Sequence, residues 1–526
     1  MFGGAKTKIK PRKGVVTTVR VQVEKKKAPL ASVGRAQQIS IRPQQSRDIS
    51  ARPSPSSATA SPTPATPAYD TPESSSHLRP PKRKAGRQLT PTNTHQHTPL
   101  MSDSDTGGNS TGSDLDDRSF KRQKVDQEVD TKRRLRSKDA FSEEHGSDFL
   151  MIHAADLVPD TGSSRSHITT PENVTVQLRY PSASQRERFN LDFGKDRIDT
   201  FEEIVDVARI VRDVYLTKAQ AKVFKKPNTG VIRRLVKAKN AITSQSKSRR
   251  NLDPSLLQDF RHAVQFYNNT MKRLLDDGTL AKNLDDMHHL PLDMVRFIMQ
   301  QVYDRAVSPS VDLLKNYEPA SDGVYGELLS PLVDRTLRQC KLKSDQVFVD
   351  LGSGVGNVVL QAALEFGCDS WGCEMMPNAC ELARKQAAEF GARCRLWGLK
   401  AGKVHLEEGN FFDNKAIVEV LKRADVVLVN NEKFGPETNE SLRLLFLDLK
   451  DGCHIISLKS FATGNERSPG DIANLIQNVD GGEYVEGDVS WSNGGGQYFI
   501  ATKDNAHIDR MLAAQEKRKA DHLKLH

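Results

Sequence analysis

The fourteen residues from Val347 to Leu360, "VFVDLGSGVGNVVL", constrain the fold more than any other stretch. An apolar run ends at Asp350 and Leu351, then Gly352, Gly354 and Gly356 alternate with Ser353 and Val355, and a second apolar run begins. That pattern reads as strand, glycine loop, helix. Glycines in such a loop let the backbone approach a ligand that side chains would hold off. The alternation continues downstream. Strands are expected at 370–374, 404–407, 426–429 and 454–458, with helices over 355–366, 378–390, 416–421 and 441–449. "EYVEGDVSW" and "QYFIATKD" close the series as a hairpin. Such alternation predicts an α/β fold, a mostly parallel doubly wound sheet with an antiparallel end.

Ligands of such sheets lie at the carboxyl ends of the strands, where strand order switches. A dinucleotide is disfavoured here. The spacing is GxGxG rather than GxGxxG, and Asp350 would repel a pyrophosphate. A carboxylate at that position suits a ligand whose nearby part is cationic. S-adenosylmethionine fits, with its ammonium and sulfonium and no phosphate. Glu374, at the tip of the next strand, can accept from ribose hydroxyls. The fourth strand ends in "VNNEKFGPE". Asn430 there is expected to face the transferable methyl and accept from an amine without becoming charged, whereas Asn431 reads equally as a helix cap.

Ahead of this domain, three helices are expected. A capping box of Thr200 and Glu203 starts the first, Asp253 and Pro254 start the second, which Gly278 closes, and Pro291 starts the third. Between the first two, residues 218–250 hold eleven Lys and Arg and no acid. A solvated helix face mixes both signs, so this segment reads as a surface for DNA or another polyanion. Phe224 is its one aromatic, which argues against RNA, whose recognition favours stacking.

The excess of basic charge lies elsewhere. Residues 1–140 carry 27 Lys and Arg against 13 Asp and Glu, while the rest carries 50 against 54. Ten prolines fall between positions 53 and 100 among Ser, Thr and Ala, a composition that cannot offset its ordering entropy by burial. "RPPKRKAGR" at 79–87 and "KRQKVDQEVDTKRRLRSK" at 121–138 read as nuclear import signals, the second of bipartite form. The expected organisation is therefore a disordered basic tail (1–174), a helical module with a basic surface (175–320), an S-adenosylmethionine-dependent domain (321–505) and a C-terminal helix or tail (506–526). No secretory signal, membrane span or CxxC pair is visible, so a soluble intracellular protein with buried thiols and no metal is expected.

The segments "VYGELLSPLVD", "VFVDLGSGVGNVVLQAA", "WGCE", "GNFF", "VLVNNEKFGPE", "GCHIISLKSF" and "VSW", in that order, resemble the disruptor-of-telomeric-silencing family. These are non-SET methyltransferases of a lysine in the globular core of histone H3, with roles in chromatin silencing and the DNA damage response. The likeness spans roughly residues 175–505. It implies a class I methyltransferase fold with a seven-stranded sheet, a nuclear location and a nucleosome as partner. It implies that Tyr325, Gly326, Glu327 and Leu328 cover the methionine end of the cofactor. Phe348, Val349, Asp350, Leu351, Gly352, Ser353, Gly354, Val355, Gly356 and Asn357 would form the cradle. Glu374 would take the ribose, Asn410 and Phe411 the adenine, while Asn430, Trp491 and Tyr498 would serve the lysine. Leu328 stands where the family usually has Thr, and Asn410 where Asp is frequent. A methyltransferase for another nuclear protein or RNA, or a catalytically silent chromatin-binding protein, stays open as an alternative.

Overall fold

The computed structural model describes residues 129–142, 149–157, 174–183, 185–191, 198–248, 253–315, 326–461 and 476–507, with a few positions beyond. The import cluster at 79–87 lies outside them, as does Tyr325.

A small antiparallel pair comes first, β1 (Thr175–Leu178) and β2 (Glu187–Asn190). The helices α1 (Thr200–Ile210), α2 (Lys222–Lys225), α3 (Val231–Ser248), α4 (Pro254–Asp276), α5 (Thr279–Asp285), α6 (Leu292–Ala306) and α7 (Ser330–Gln339) follow. The alternating part then runs β3 (Val347–Leu351), α8 (Asn357–Glu365), β4 (Asp369–Glu374), α9 (Pro377–Leu396), β5 (Val404–Glu408), α10 (Lys415–Leu421), β6 (Val426–Val429), α11 (Pro436–Leu445) and β7 (His454–Ser457). It closes with β8 (Ile476–Tyr484) and β9 (Gly496–Lys503).

The sheet has seven strands in the order β5-β4-β3-β6-β7-β9-β8. β3 to β7 pair in parallel, and β9 enters antiparallel beside β7. This is the class I methyltransferase fold, with strand order reversing between β3 and β6, where the glycine loop sits. The closing hairpin differs from expectation. Its first strand is the earlier stretch "IQNVDGGEY", while "VEGDVSW" forms the connection. Asp480-Gly481-Gly482 looks like a turn in sequence, but the glycines are there for room. A Cβ at Gly481 would lie 2.7 Å from the Tyr498 carbonyl, and one at Gly482 would lie 2.7 Å from its hydroxyl.

The cap of α1 is Asp199, which accepts from the Glu202 amide, not Thr200. Glu203 is instead turned into the core. Asp253 and Pro254 start α4 as expected, and Gly278 follows its end in the left-handed conformation. The basic segment contains a helix the sequence reading missed: α3 buries Val231, Ile232, Leu235, Val236 and Ile242, and it packs on α4 and α1. Its other face keeps Arg233, Arg234 and Lys237 exposed, next to Lys218, Lys222, Lys225 and Lys226.

Two expectations about organisation are corrected. The helical part is not a separate module. Its core continues through Leu360, Leu364, Phe390 and Trp397 of the sheet's covering helices and their ends. Trp397 is fully buried there, edge-on to Tyr180 at 5.0 Å and Phe297 at 6.1 Å, and its carbonyl accepts from the Tyr215 hydroxyl. Nor is the chain a free tail up to residue 174. Residues 129–142 and 149–157 form a strap across the body. Leu135 and Ala140 are buried, and the Lys400 amide donates to the Leu135 carbonyl at 2.7 Å. Arg133 is also buried, its guanidinium donating to the Leu364 carbonyl. A Cβ at Gly367 would overlap that guanidinium. The second half of the 121–138 cluster is thus folded into the body of the protein.

The seam beneath the strap holds a network of buried charge. Glu187 accepts from Arg305 at 2.7 Å, Arg393 at 2.5 Å and the Tyr180 hydroxyl at 2.7 Å. Arg305 also meets Glu203 at 2.7 Å, and Arg393 meets Glu389 at 2.6 Å. Ile152 of the strap completes it, its amide donating to Glu389 and its carbonyl accepting from Arg393.

Candidate active site

β3 delivers the glycine loop to the carboxyl edge of the sheet. Gly352, Gly354 and Gly356 have φ of 91°, 55° and 87°, a region that a side chain strains, so this turn requires glycine. The amides of Gly352 and Ser353 both donate to the Cys373 carbonyl at 2.9 Å, fastening the loop to β4. Gly372 permits that approach, since a Cβ there would meet Ser353 Oγ at 2.7 Å. From behind, Gln386 of α9 donates to the Val355 carbonyl at 2.9 Å and to Asn357 Oδ1 at 2.8 Å. The sequence reading passed over Gly372 and Gln386, because only the fold brings them to the loop.

An open cleft of about 850 Å³, counted out to its mouth and including open solvent, lies over this loop. Gly326, Glu327, Leu328, Asp350, Leu351, Gly352, Ser353, Gly354, Val355, Asn357, Glu374, Phe411 and Asn430 all line it. So do Phe434, Met375 and Met376, which the sequence reading did not assign. Phe434 stands in the quoted "VNNEKFGPE" and was the one of these that could have been found.

Other expected residues sit elsewhere. Phe348 and Val349 belong to the cores on opposite faces of the sheet, because successive side chains of a strand alternate. Gly356 caps α8 and is not part of the cleft wall. Asn410 is exposed, and its Oδ1 accepts from the Phe412 amide at 3.0 Å, so it shapes the turn that presents Phe411. The Tyr498 hydroxyl donates to Gln339 at 2.9 Å, which leaves its ring as a wall of a small apolar cavity shared with Leu328. Leu328 is buried in that apolar cluster, a setting a hydroxyl would not suit.

The two asparagines separate cleanly. Asn431 is fully buried. Its Oδ1 accepts from the amides of Leu458 and Lys459, and its Nδ2 donates to Asn439 and the Lys459 carbonyl, so it pins β6 to β7. Asn430 donates Nδ2 to the Gly326 carbonyl at 3.2 Å, which leaves Oδ1 as an acceptor at the cleft. Gly326 in turn abuts the Trp491 ring, which packs against the apolar cluster of Leu328 and Tyr498 behind the cleft and is not itself among the residues that line it.

The electrostatics of the cleft fit S-adenosylmethionine. Glu374 is held at the strand tip by two amides, Gly354 at 2.9 Å and Met376 at 2.8 Å, and carboxylate lone pairs beyond those can accept hydroxyls. Asp350 is buried, and no hydrogen bond to its carboxyl occurs among the described residues. Burial, and then the charge of Glu374, pushes it up to about 8. A buried acid without a donor, at the floor of an open cleft, is a place for a cationic group. Among the described residues no cluster could hold a metal ion. All six cysteines are buried free thiols, and burial raises Cys368 to about 12, far from reactive.

A family model described as "Histone methylation protein DOT1" matches residues 303–503. The chain is 49% identical over 385 residues to the H3 lysine-79 specific histone-lysine N-methyltransferase of Gibberella zeae, covering 71% of this chain and 74% of that protein. It is 45% identical over 401 residues to the enzyme of the same name from Aspergillus fumigatus, covering 74% and 76%. Among solved structures, an RNA methyltransferase from Salinibacter ruber in complex with S-adenosyl-L-homocysteine is 24% identical, covers 33% of this chain and 92% of its own, and has a TM-score of 0.23.

Proposed function

The chain belongs to the DOT1 family of histone methylation proteins, and from that premise we propose that it methylates a core lysine of nucleosomal histone H3. The position is the one its relatives' names give as lysine 79. The observation that carries the reading is the pair of Asp350, a buried acid awaiting a cation, and Asn430, an amide oxygen held at the same cleft.

S-adenosylmethionine supplies an electrophilic methyl on a sulfonium, whose charge also disfavours the ammonium form of a nearby lysine. Asp350 would receive the ammonium of that cofactor, Glu374 its ribose hydroxyls, and Phe411 its adenine face. Lysine in water has a pKa of about 10.4 and must lose a proton before it can attack. The ring of Trp491 strips water from the lysine stem, and Asn430 Oδ1 accepts from the neutral amine and aims its lone pair. Positioning and desolvation then do the work that a strong base would do elsewhere.

The exposed face of α2 and α3 serves the nucleosome. Its Lys and Arg meet DNA phosphates without reading sequence. Phe224 is buried against Tyr267, so no aromatic of that segment is free to stack on an RNA base. The nucleus is the compartment this substrate requires. Import falls to the cluster at 79–87, since half of the other cluster is folded into the body.

The test offers labelled S-adenosylmethionine with nucleosomes or with free histones. Label on H3, stronger with nucleosomes, is expected. Label on RNA or on no histone refutes the reading. Asn430→Ala should lower turnover by roughly 2–4 kcal/mol of transition-state stabilisation while cofactor affinity holds, as expected for an orienting interaction. Changing Lys222, Lys225, Lys226 and Lys237 to Ala should weaken nucleosome methylation. It should also flatten the log–log salt dependence by about 0.9 for each phosphate that is no longer neutralised. An unchanged slope would make the face a solubilising one.

A further inference from the structure

We propose that Trp491 is a strut beneath the donor-side segment Gly326–Leu329 as well as a wall of the acceptor channel, so that cofactor binding and lysine entry are energetically coupled. This rests on the donor and acceptor sides assigned above. Gly326 has no left-handed φ that would call for glycine. It is small because of Trp491, since a Cβ there would stand 2.7 Å from Trp491 Cε3, closer than real contacts come. The two segments are also laced together. Leu328 and Val489 form an antiparallel bridge, the Leu329 amide donates to the Asp488 carbonyl at 2.8 Å, and the Ser490 amide donates to the Glu327 carbonyl at 2.9 Å. The Glu327 amide returns a bond to Ser490 Oγ at 2.8 Å.

α7 braces this pair from below. Asp488 is buried, accepting from Arg335 at 2.6 Å and from the Val485 amide at 3.0 Å, and Arg335 lies over the Tyr498 ring at 5.6 Å. Tyr484 meets Trp491 edge-on at 6.5 Å. Asn430 closes the circuit through the Gly326 carbonyl. A ligand that shifts or stiffens Gly326–Leu329 must therefore act on Trp491, and an acceptor seated against Trp491 must act on the donor side by the same factor. Arg335 and Asp488 are positioning residues in this arrangement, acting through the segment they hold.

The test uses S-adenosylhomocysteine as probe and the full chain. Gly326→Ala should weaken its binding about tenfold. Trp491→Phe, which withdraws the outer ring, should cost less. The double variant should bind within about threefold of Trp491→Phe alone, a coupling of the size seen for residues that touch. Additive losses, or wild-type binding by Gly326→Ala, overturn the proposal. Fluorescence needs no destabilising change: titration should alter the part of the emission that Trp491→Phe removes, and a titration that leaves that part constant also overturns it. On the acceptor side, saturating S-adenosylhomocysteine should tighten nucleosome binding, and Asp488→Asn should bring that ratio toward one. An unaltered ratio sinks the coupling. Failure of the wild type to methylate any histone would instead remove the acceptor assignment while leaving the variant cycle readable.

Discussion

Glu187 and Asp350 are both buried carboxyl groups, and the protein treats them in opposite ways. Burial by itself raises both. At Glu187 the charges of Arg305 and Arg393 overcome it and hold the group down to about 2, so it is ionised and enclosed by donors. At Asp350 burial is joined by the charge of Glu374, of the same sign, and the group is pushed up to about 8. The first is a finished interaction that ties β2, α1, α6, α9 and the strap into one body. The second is unfinished among the described residues. A buried acid with no donor among the described residues is a place that suits a cationic partner from outside.

The widest difference should appear when the strap is removed. A chain starting at residue 175 loses Leu135 and Arg133 from the core and Ile152 from the charged network, so it should be insoluble or lack a cooperative thermal transition. One starting at residue 128 should melt as the full chain does. Equal melting of the two would show that the strap is an ornament.

Glu187→Gln comes next. It leaves Arg305 and Arg393 buried without their shared counter-charge, which should cost roughly 3–5 kcal/mol in urea unfolding. Cofactor affinity of the folded fraction should be unchanged. In the wild type, a carboxyl lowered in the folded state contributes stability above its unfolded value. That contribution is lost as pH falls from about 4.5 toward 2.

Asp350→Asn should act with the opposite sign. A carboxyl raised in the folded state costs stability as pH rises from 3.8 toward about 8. The variant should therefore be more stable than wild type at pH 7, by at most roughly 4 kcal/mol at about 1.4 kcal/mol per pH unit. It should also bind S-adenosylmethionine far more weakly. Wild-type binding should release up to one proton near pH 7, with affinity rising from pH 6 to pH 8, because the cation requires the ionised form. Calorimetry in buffers of different ionisation enthalpy measures that proton. If Asp350→Asn neither stabilises the protein nor abolishes proton release, the two carboxyl groups do not differ as described.

Much of the cleft was legible in the sequence because it is local. The strand, the alternating glycines and the acid before them lie within ten residues. Their roles follow from backbone conformation and charge, which need no neighbours. "VNNEKFGPE" likewise placed Asn430 at a strand tip. What the sequence could not do was choose between adjacent residues. Asn430 and Asn431 have the same chemistry, and only the pairing of β6 with β7 turns one into the core and the other into the cleft. Phe348, Val349 and Asn410 fall in the ligand site that the resemblance implies, whereas strand alternation and a turn engage their side chains in the fold.

The sequence by itself determined the fold class, the glycine cradle and a cationic ligand, since these depend on periodicity, φ and charge. The tertiary structure alone decided that the basic stretch at 129–138 is a strap, that the helices share one core with the sheet, and that Glu187 and Asp350 meet opposite fates. The physical reason is the same in each case. A charge or an apolar side chain has no fixed role until long-range packing decides which partners reach it and whether water does.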